Sequence, residues 1–190
     1  MKKLIQITLL LLIGFSGQKA YATHMAGAEI TYRGIDSLRF EVTLKWYRDC
    51  QGISLTGAGA GALTIRCGST TINDTLSLIS IKDITPTCSS LPSKCNPTNT
   101  YGTGNGLEEH IYMDTIDFNT TPLSALASCS NNIIFSASIN ARHNAIRTGP
   151  SGALYIQSEL NLNLAPTNTS PILTTPNQLY LCCDRPVTSN

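Results

Sequence analysis

The chain has 190 residues, of which 13 are basic and 12 are acidic, giving a formal net charge of +1 at pH 7. A chain of this length can bury one sizeable core, so a single domain is expected. No run of lysine and arginine occurs in the sequence. Nucleic-acid-binding proteins carry such a basic footprint, so the composition excludes nucleic acid as a partner.

The N-terminus has the three parts of a cleaved secretory signal peptide. Two lysines follow the first methionine, an apolar run extends from Leu4 to Phe15, and the small-residue site Ala20-Tyr21-Ala22 comes next. This pattern predicts a signal peptide over residues 1–22, cleaved between Ala22 and Thr23. The alternative is an uncleaved anchor helix, but the apolar run is shorter than the ~20 residues that span a bilayer.

Cleavage leaves residues 23–190 as one exported domain with 10 basic and 12 acidic residues, a formal net charge of −2. No segment of this domain is long and apolar enough to cross a bilayer, so no membrane span is expected after cleavage. The domain is therefore expected to be secreted or held at the cell surface.

Seven cysteines occur, all in the exported part. In an oxidising compartment such a set predicts disulfides before metal ligands, and no close C-x-x-C pair favours zinc. The disulfide candidates are Cys50, Cys67, Cys88, Cys95, Cys129, Cys182 and Cys183. The odd count leaves one thiol free or bonded to another chain. The adjacent pair at 182 and 183 is expected to supply it, because neighbouring strand residues point to opposite faces.

Spacing suggests three pairings but does not decide between connectivities. The first hypothesis is a bond across a short loop, Cys88–Cys95. The second is a bond across the Gly/Ala-rich loop, Cys50–Cys67. The third joins the last strands through Cys129 and either Cys182 or Cys183.

Period-two alternation, which is typical of strands with one buried face, recurs along the exported part. In the clearest case the apolar face has Leu38, Phe40, Val42, Leu44 and Trp46, and the opposite face has Arg39, Glu41, Thr43, Lys45 and Tyr47. Two further clear strands are Ala153–Leu164, whose apolar face runs from Leu154 to Leu164, and Ile133–Ile139. Less regular patterns predict strands at Ala28–Tyr32, Leu63–Arg66, Leu76–Lys82, Glu109–Phe118 and Gln178–Cys182.

Helical periodicity is hard to find, and one short helix is expected around Pro122–Ala127. Stretches rich in glycine, proline and asparagine separate the predicted strands. Strands with one apolar face must pair those faces in the core. The sequence therefore predicts an all-β, disulfide-stabilised fold in which two antiparallel sheets form a sandwich.

No set of catalytic or cofactor-binding residues stands out. Gly57–Ala62 fits the loose G-x-G-x-x-G/A dinucleotide pattern, but that pattern requires a following helix and a strand-like sequence follows here. A flexible loop is the better interpretation. The histidines His24, His110 and His143 are too scattered for a metal site, and Ser151 misses the G-x-S-x-G elbow by one residue. The sequence predicts no enzyme, no cofactor and no metal.

Acidic residues leave two further hypotheses. A calcium site would use Asp114 and Asp117 with Glu108 and Glu109, although the spacing of a calcium loop is absent. A hydrolase acting on polysaccharide would need two carboxylates across a cleft, about 5 Å or 6.5–9.5 Å apart. Its candidates are Glu109 with Asp114 or Glu159.

An ordered series of short motifs covers essentially the whole exported part. These are Thr23-His24, Gly27-Ala28-Glu29-Ile30-Thr31-Tyr32, Tyr47-Arg48-Asp49-Cys50, Gly106 with Glu109 and Tyr112, Arg142 with Asn144 and Ile146, Asn168-Thr169-Ser170-Pro171, and Tyr180-Leu181-Cys182. With these motifs the chain resembles the N-terminal module of large exported surface proteins of Bacteroidetes, of the gliding-motility-associated or type IX secretion cargo type. It departs from that family at Asn140-Ala141, where members have a pair of cysteines.

The resemblance implies an Ig-like sandwich at the cell surface or outside the cell, and it implies no defined biochemical activity. It is compatible with a short paralogue or with the first domain of a longer surface protein. Three D-[ST]-apolar sequences also resemble the O-glycosylation site of this bacterial group. Their hydroxyl residues are Ser37, Thr75 and Thr115.

The first functional hypothesis is a non-enzymatic exported module for adhesion or for assembly of a surface structure, with an unidentified surface protein or polysaccharide as its partner. Arg48-Asp49 could then be a recognition patch, although an ion pair that locks the strand end is favoured. The alternatives are the hydrolase above and a carbohydrate-binding module that stacks sugars on exposed aromatic rings. The candidate rings are Tyr32, Tyr47, Tyr101, Tyr112 and Tyr155.

Overall fold

The computed structural model describes residues 25–52, 54–55, 57–85, 93–96, 106–142 and 152–172. Within these ranges eight strands form two antiparallel sheets. The strands are β1 Met25–Gly34, β2 Arg39–Asp49, β3 Ala62–Cys67, β4 Thr70–Thr75, β5 Ser77–Asp83, β6 Leu107–Asp117, β7 Ile133–Ile139 and β8 Leu154–Leu160. Two short 3₁₀ helices are Ala58–Gly61 and Leu123–Leu126. The second confirms the helix predicted around Pro122–Ala127.

The strand order gives the sandwich an immunoglobulin-like topology. Sheet A has the order β1-β2-β6-β5 and sheet B has the order β4-β3-β7-β8. Lettered along the chain as A, B, C, C′, D, E, F and G, these sheets are ABED and C′CFG, the immunoglobulin arrangement with one added strand. The predicted two-sheet sandwich is confirmed. No helix in the described ranges is long and apolar enough to cross a membrane.

The alternating strand β2 supplies the centre of the core. Phe40, Val42 and Leu44 are completely buried, and Trp46 is 1% exposed. Side chains of sheet B in the same cluster include Leu63, Ile65, Ile133 and Phe135. The predicted inner face of β2 is therefore confirmed. The indole Nε1 of Trp46 also donates a hydrogen bond of 2.7 Å to the carbonyl of Ala60, so the ring is fixed as well as buried.

The last described strand is shorter than its prediction. Ile133–Ile139 has the predicted bounds, but the strand predicted over Ala153–Leu164 ends at Leu160, and Leu164 is 85% exposed. The side-chain oxygen of Asn161 accepts hydrogen bonds from the backbone amides of residues 163 and 164. Such a turn ends the strand, because it directs these amides away from the sheet.

The sequence did not predict β4. Its single apolar residue, Ile72, forms no alternating pattern, and most of the strand is exposed. The strand predicted at Gln178–Cys182 lies outside the described residues.

Two disulfides cross-link the described part of the chain. Cys50, directly after β2, is bonded to Cys95, with Cα atoms 5.1 Å apart. Cys67, at the end of β3, is bonded to Cys129, with Cα atoms 6.2 Å apart. Disulfides of this kind persist in oxidising compartments outside the cytoplasm. Both bonds agree with the predicted disulfide stabilisation.

The three hypothetical pairings are wrong. Cys95 is not bonded to Cys88, Cys50 is not bonded to Cys67, and Cys129 is bonded to neither Cys182 nor Cys183. The reason is strand order, because β3 lies beside β7 in sheet B and its end meets the loop that enters β7. The backbone amide after β2 likewise bonds to the carbonyl of Gly106, which packs against Cys95. Residues 88, 182 and 183 lie outside the described ranges.

The first testable prediction concerns Trp46. Trp46→Ala is expected to lower the free energy of unfolding by about 3–5 kcal/mol, because it removes a buried ring and opens a cavity. Urea denaturation measures the loss. Tyr155→Ala is the matched control, since Tyr155 is 55% exposed; it should change stability by no more than about 0.5 kcal/mol. The reverse ranking of the two variants would mean that the register of β2 is wrong.

The second prediction concerns connectivity. Proteolysis of the unreduced protein should yield peptides that join Cys50 to Cys95 and Cys67 to Cys129, as detected by mass spectrometry. The Cys67–Cys129 bond closes a loop with a sequence separation of 62. Replacing both cysteines with alanine should therefore lower stability by about 4 kcal/mol. A peptide that joins Cys50 to Cys67 would contradict the structure.

Candidate interaction surface

On one flank of the sandwich, the chain itself covers part of the sheet edge. There, β1 forms the edge of sheet A, and residues 167–170 run beside it. The amide of Ser170 donates to the carbonyl of Tyr32 at 2.9 Å, and the amide of Tyr32 donates to the hydroxyl of Ser170 at 2.9 Å. Gly34 allows the close approach, since a Cβ there would lie 2.8 Å from the carbonyl oxygen of Thr167. The C-terminal end of this edge therefore has hydrogen bonds supplied within the molecule.

The opposite flank is open as far as the described residues show. It is formed by β5, at the edge of sheet A, and by β4, at the edge of sheet B. The single buried residue Leu76 connects these two strands. Every residue of β5 is exposed, including Leu78 at 49%, Ile79 at 54% and Ile81 at 52%. No strand in the described part of the chain pairs with the free edge of β5 or of β4. We call this surface the open flank.

A β-bulge determines how the aliphatic side chains of β5 are arranged. Leu78 lies opposite Tyr112 and Ile81 lies opposite His110, with a register shift between Leu78 and Ser80. Positions 110 and 112 of β6 share the inner face, so Leu78 and Ile81 also share it although they are three residues apart. The bulge therefore gathers two exposed aliphatic side chains on one face, at the gap between the sheets.

A cleft of about 340 Å³ lies beneath these side chains. Leu55, Leu76, Leu78, Ile81 and the ring of Tyr112 line it. This volume is at the low end of the range typical of small-molecule pockets. The lining offers mainly apolar contacts, so the cleft suits aliphatic side chains better than a charged ligand.

The Gly/Ala-rich loop forms the far wall of this cleft rather than a nucleotide site. Its residues make a 3₁₀ turn followed by β3, so the helix that a dinucleotide site requires is missing at this point. The amide of Leu76 donates to the carbonyl of Gly61 at 2.8 Å. A Cβ at Gly61 would collide with the carbonyl oxygen of Leu76, so only glycine allows this approach.

The rim of the open flank carries separated charges. Asp114 accepts a hydrogen bond of 3.4 Å from the hydroxyl of Ser77, at one end of β5. Lys82 lies at the other end, opposite Glu109, and forms no ion pair with any described residue. Lys45 pairs with Glu109 instead, at 3.5 Å. One end of the strand therefore lies beside the carboxylate of Asp114, and the other end carries both Lys82 and Asp83.

The outer face of sheet A holds a cluster that the strand alternation did not predict. Lys45 lies between Glu29 and Glu109 on the neighbouring strands, at 3.9 and 3.5 Å, and Tyr47 donates a hydrogen bond of 2.7 Å to Glu29. Tyr47 is only 1% exposed. Its burial, the hydrogen bond to Glu29 and the negative charges of Glu29 and Glu109 raise the pKa of its hydroxyl. Lys45 and Tyr47 are thus structural residues on a face that was expected to be solvated.

Arg48 and Asp49 lock the end of the strand. They are 7% and 4% exposed, which leaves little surface for recognition. The guanidinium of Arg48 contacts Glu108 at 2.6 Å and donates to the carbonyl of Gly52 at 2.6 Å. His110 also contacts Glu108, at 3.1 Å, and is 2% exposed. The ion-pair interpretation of this motif agrees with the geometry.

The carboxylates proposed for a hydrolase do not share a cleft. Glu109 is on sheet A and bonded to Lys45, whereas Glu159 is on sheet B and accepts hydrogen bonds from Asn132 and Gln157. Asp114, on the opposite face of β6 from Glu109, is bonded to Ser77.

The acidic residues proposed for calcium are not gathered either. Glu108 is bonded to Arg48, and Asp117 bonds to the turn at Asn119. In the described ranges, one group has the spacing of metal ligands, namely Cys50, Cys95 and Glu108. Its two sulfurs are joined in a disulfide, so they do not act as ligands. His24, His143 and Ser151 lie outside the described residues.

The aromatic candidates for sugar stacking are mostly inside the protein. Tyr32, Tyr47 and Tyr112 are at most 5% exposed, and Tyr101 lies outside the described ranges. Tyr155 is exposed on the outer face of sheet B, where its hydroxyl donates to Gln157 at 2.9 Å. A single exposed ring is not an aromatic platform.

The three hydroxyl residues proposed for glycosylation, Ser37, Thr75 and Thr115, are all exposed. In each motif the preceding aspartate accepts a hydrogen bond from a backbone amide one to three residues further on. The motifs thus share an exposed hydroxyl and a locally held carboxylate. Thr75 also lines the cleft of the open flank.

Comparison with protein-family models, with curated proteins and with solved structures found no match to this chain. The functional inference therefore depends on the geometry of the described residues. Among them, the open flank is the surface that combines free backbone groups, exposed aliphatic side chains and a cleft.

The third prediction follows from Tyr47. The pKa of its hydroxyl in the folded protein lies above the value near 10 expected for the unfolded chain. Above about pH 10 the folded state therefore binds more protons than the unfolded state, and stability should fall as pH rises. Tyr47→Phe should lose less stability than the unmodified protein between about pH 9 and pH 11, as measured by urea midpoints. Tyr155→Phe should keep the original slope, and an unchanged slope for Tyr47→Phe would refute the role of this hydroxyl.

Proposed function

We propose that this protein is a non-enzymatic module, exported through the signal peptide over residues 1–22, that serves adhesion or assembly of a surface structure. The observation that supports this most is the open flank, where three exposed aliphatic side chains stand on an edge strand whose outer side pairs with no described strand. Exposed apolar patches on soluble domains mark interaction sites. An unpaired edge also offers backbone groups to an incoming strand.

The disulfides are consistent with work outside the cytoplasm. Both close long loops of the sandwich, with sequence separations of 45 and 62. Bonds of this kind limit the freedom of the unfolded chain and stabilise domains exposed to an oxidising medium. Cross-links of this kind preorganise a domain, and preorganisation favours affinity.

Binding through the open flank is better supported than the two alternatives. A carbohydrate-binding module would need rings grouped on one face, and Tyr155 stands alone among the described aromatics. A hydrolase would need two carboxylates facing each other, whereas Glu109 and Glu159 lie on different sheets. Neither alternative uses the aliphatic edge of β5.

The fourth prediction tests this function in the native host. The protein with its own leader is produced with an affinity tag, and the tagged protein is measured in washed cells and in the medium. The unmodified protein should remain with the cells, whereas Ile81→Lys should be released, because a charge on β5 opposes docking of an apolar strand. Intact mass should show that the chain begins at Thr23.

Ile35→Lys is the matched control. Ile35 is 45% exposed, close to the 52% of Ile81, but it lies in the turn between β1 and β2, away from the open flank. It should stay with the cells like the unmodified protein. Equal retention of Ile81→Lys and Ile35→Lys would refute the role of the open flank, and a chain that retains residues 1–22 would refute export by cleavage.

A further inference from the structure

We propose that reduction of the Cys50–Cys95 disulfide creates a binding site for a thiophilic divalent cation such as Zn²⁺, with the two thiolates and the carboxylate of Glu108 as ligands. The two sulfurs and a carboxylate oxygen of Glu108 lie within 4.8 Å of one another. Zn²⁺ binds thiolate sulfur at about 2.3 Å and carboxylate oxygen at about 2.0–2.2 Å, so atoms at this spacing can share one tetrahedral ion. The site is separate from the open flank and does not depend on the proposed function.

One oxygen of Glu108 is available to a metal ion. The other oxygen, Oε2, accepts a hydrogen bond of 2.6 Å from the guanidinium of Arg48 and contacts the ring of His110 at 3.1 Å. Oε1 has no hydrogen-bond partner among the described residues. Arg48 and His110 are both buried, so they fix the orientation of the carboxylate. Carboxylates that bind metals are commonly oriented by such neighbours.

The two cysteines are held in place by contacts that reduction does not remove. The amide of Cys50 donates to the carbonyl of Gly106 at 3.0 Å, and the amide of Cys95 donates to the hydroxyl of Ser93 at 3.1 Å. The hydroxyl of Thr85 contacts the hydroxyl of Ser93 at 2.9 Å and the sulfur of Cys95 at 3.7 Å. The two thiols should therefore stay close together in the reduced protein, which is the preorganisation that a metal site requires.

Of the two disulfides, Cys50–Cys95 is more open to a reductant. Both of its cysteines are partly exposed, whereas Cys129 in the other disulfide is buried, at 6% exposure. Thiol–disulfide exchange requires access to a sulfur, and a nearby cation favours the departing thiolate. Arg48 supplies this cation, because it is bonded to the carboxylate that lies beside the two sulfurs.

The reaction balances with a dithiol as the reductant. The dithiol gives two electrons and two protons to the S–S bond, which breaks to form two protein thiols, and the dithiol becomes a disulfide. Zn²⁺ then displaces one proton from each thiol and binds both thiolates with no change in oxidation state. Two thiolates and Glu108 carry three negative charges, and Arg48 offsets one of them. The charge that remains matches a divalent cation.

Metal titration of the mature protein in both redox states tests the site. Free thiols of the oxidised protein are first alkylated, one sample is reduced with a dithiol, and the dithiol is removed without air because it binds metals itself. A second alkylation followed by mass spectrometry should find Cys50 and Cys95 released. Co²⁺, a spectroscopic substitute for Zn²⁺, should give a thiolate charge-transfer absorption in the reduced sample alone, and Zn²⁺ should displace it. Equal absorption in both samples, or none in either, would overturn the proposal.

Two cysteine variants assign the thiolates. The double variant Cys67→Ala with Cys129→Ala retains the proposed pair and should bind Co²⁺ like the unmodified protein. Cys50→Ala leaves Cys95 unpaired, so the first alkylation blocks it and the absorption should disappear. The reverse dependence would place the metal at the other pair of cysteines and overturn the assignment.

A matched pair of glutamate variants tests the third ligand. Glu108→Gln should weaken Zn²⁺ binding at least about tenfold, because it removes a charged ligand. Glu159→Gln, on sheet B, should leave the affinity unchanged. Equal affinities of the two variants would remove Glu108 from the site. Thermal unfolding verifies that Glu108→Gln is folded, since this variant also loses the ion pair with Arg48.

X-ray absorption at the zinc edge needs no variant. The reduced, zinc-loaded protein should show two sulfur ligands at about 2.3 Å, with oxygen or nitrogen atoms completing the shell. Four sulfur ligands, or none, would overturn the proposed ligand set.

Discussion

The structure depends on the unbroken burial of one face of β2. Phe40, Val42, Leu44 and Trp46 are at most 1% exposed, and the strand pairs along its length with both β1 and β6. A slip of one residue in either pairing would exchange these side chains for the charged face, so β2 fixes the register of both neighbours. It also holds the Gly/Ala-rich turn, through the indole hydrogen bond to Ala60. That turn is one wall of the cleft, so β2 also determines the shape of the cleft.

Sequence patterns predicted most clearly the strands whose burial alternates, and they missed the edge strand β4. The strands β2 and β7 could be read directly, because one face of each is core. By contrast, β4 is an edge strand with Ile72 as its only apolar residue, so no local pattern distinguishes it from a loop. Disulfide connectivity was unpredictable for another reason. Cys67 meets Cys129 because β3 lies beside β7, and sheet order is a non-local property that spacing does not contain.

A prediction from alternation also assumes that every outward-facing side chain is exposed, and this assumption is wrong on sheet A. Tyr47 points outward and is nevertheless buried, and Lys45 is held between two glutamates from the adjacent strands. The partners come from β1 and β6, about 16 and 64 residues away in sequence, so they become neighbours only when the sheet forms. The open flank could be foreseen only in part. The sequence shows aliphatic residues near 78–81, but an inner strand would show the same composition.

The two flanks of the sandwich show how an exposed strand edge can be managed. On the β1 side, residues 167–170 supply hydrogen bonds to the backbone of Tyr32 and Gly34. On the β5 side the bulge and Lys82 are devices that hinder uncontrolled pairing, yet Leu78, Ile79 and Ile81 stay in solvent. Such an edge is a liability for a protein that works alone, because it invites aggregation. Partial protection together with exposed aliphatic residues is what a selective interface would require.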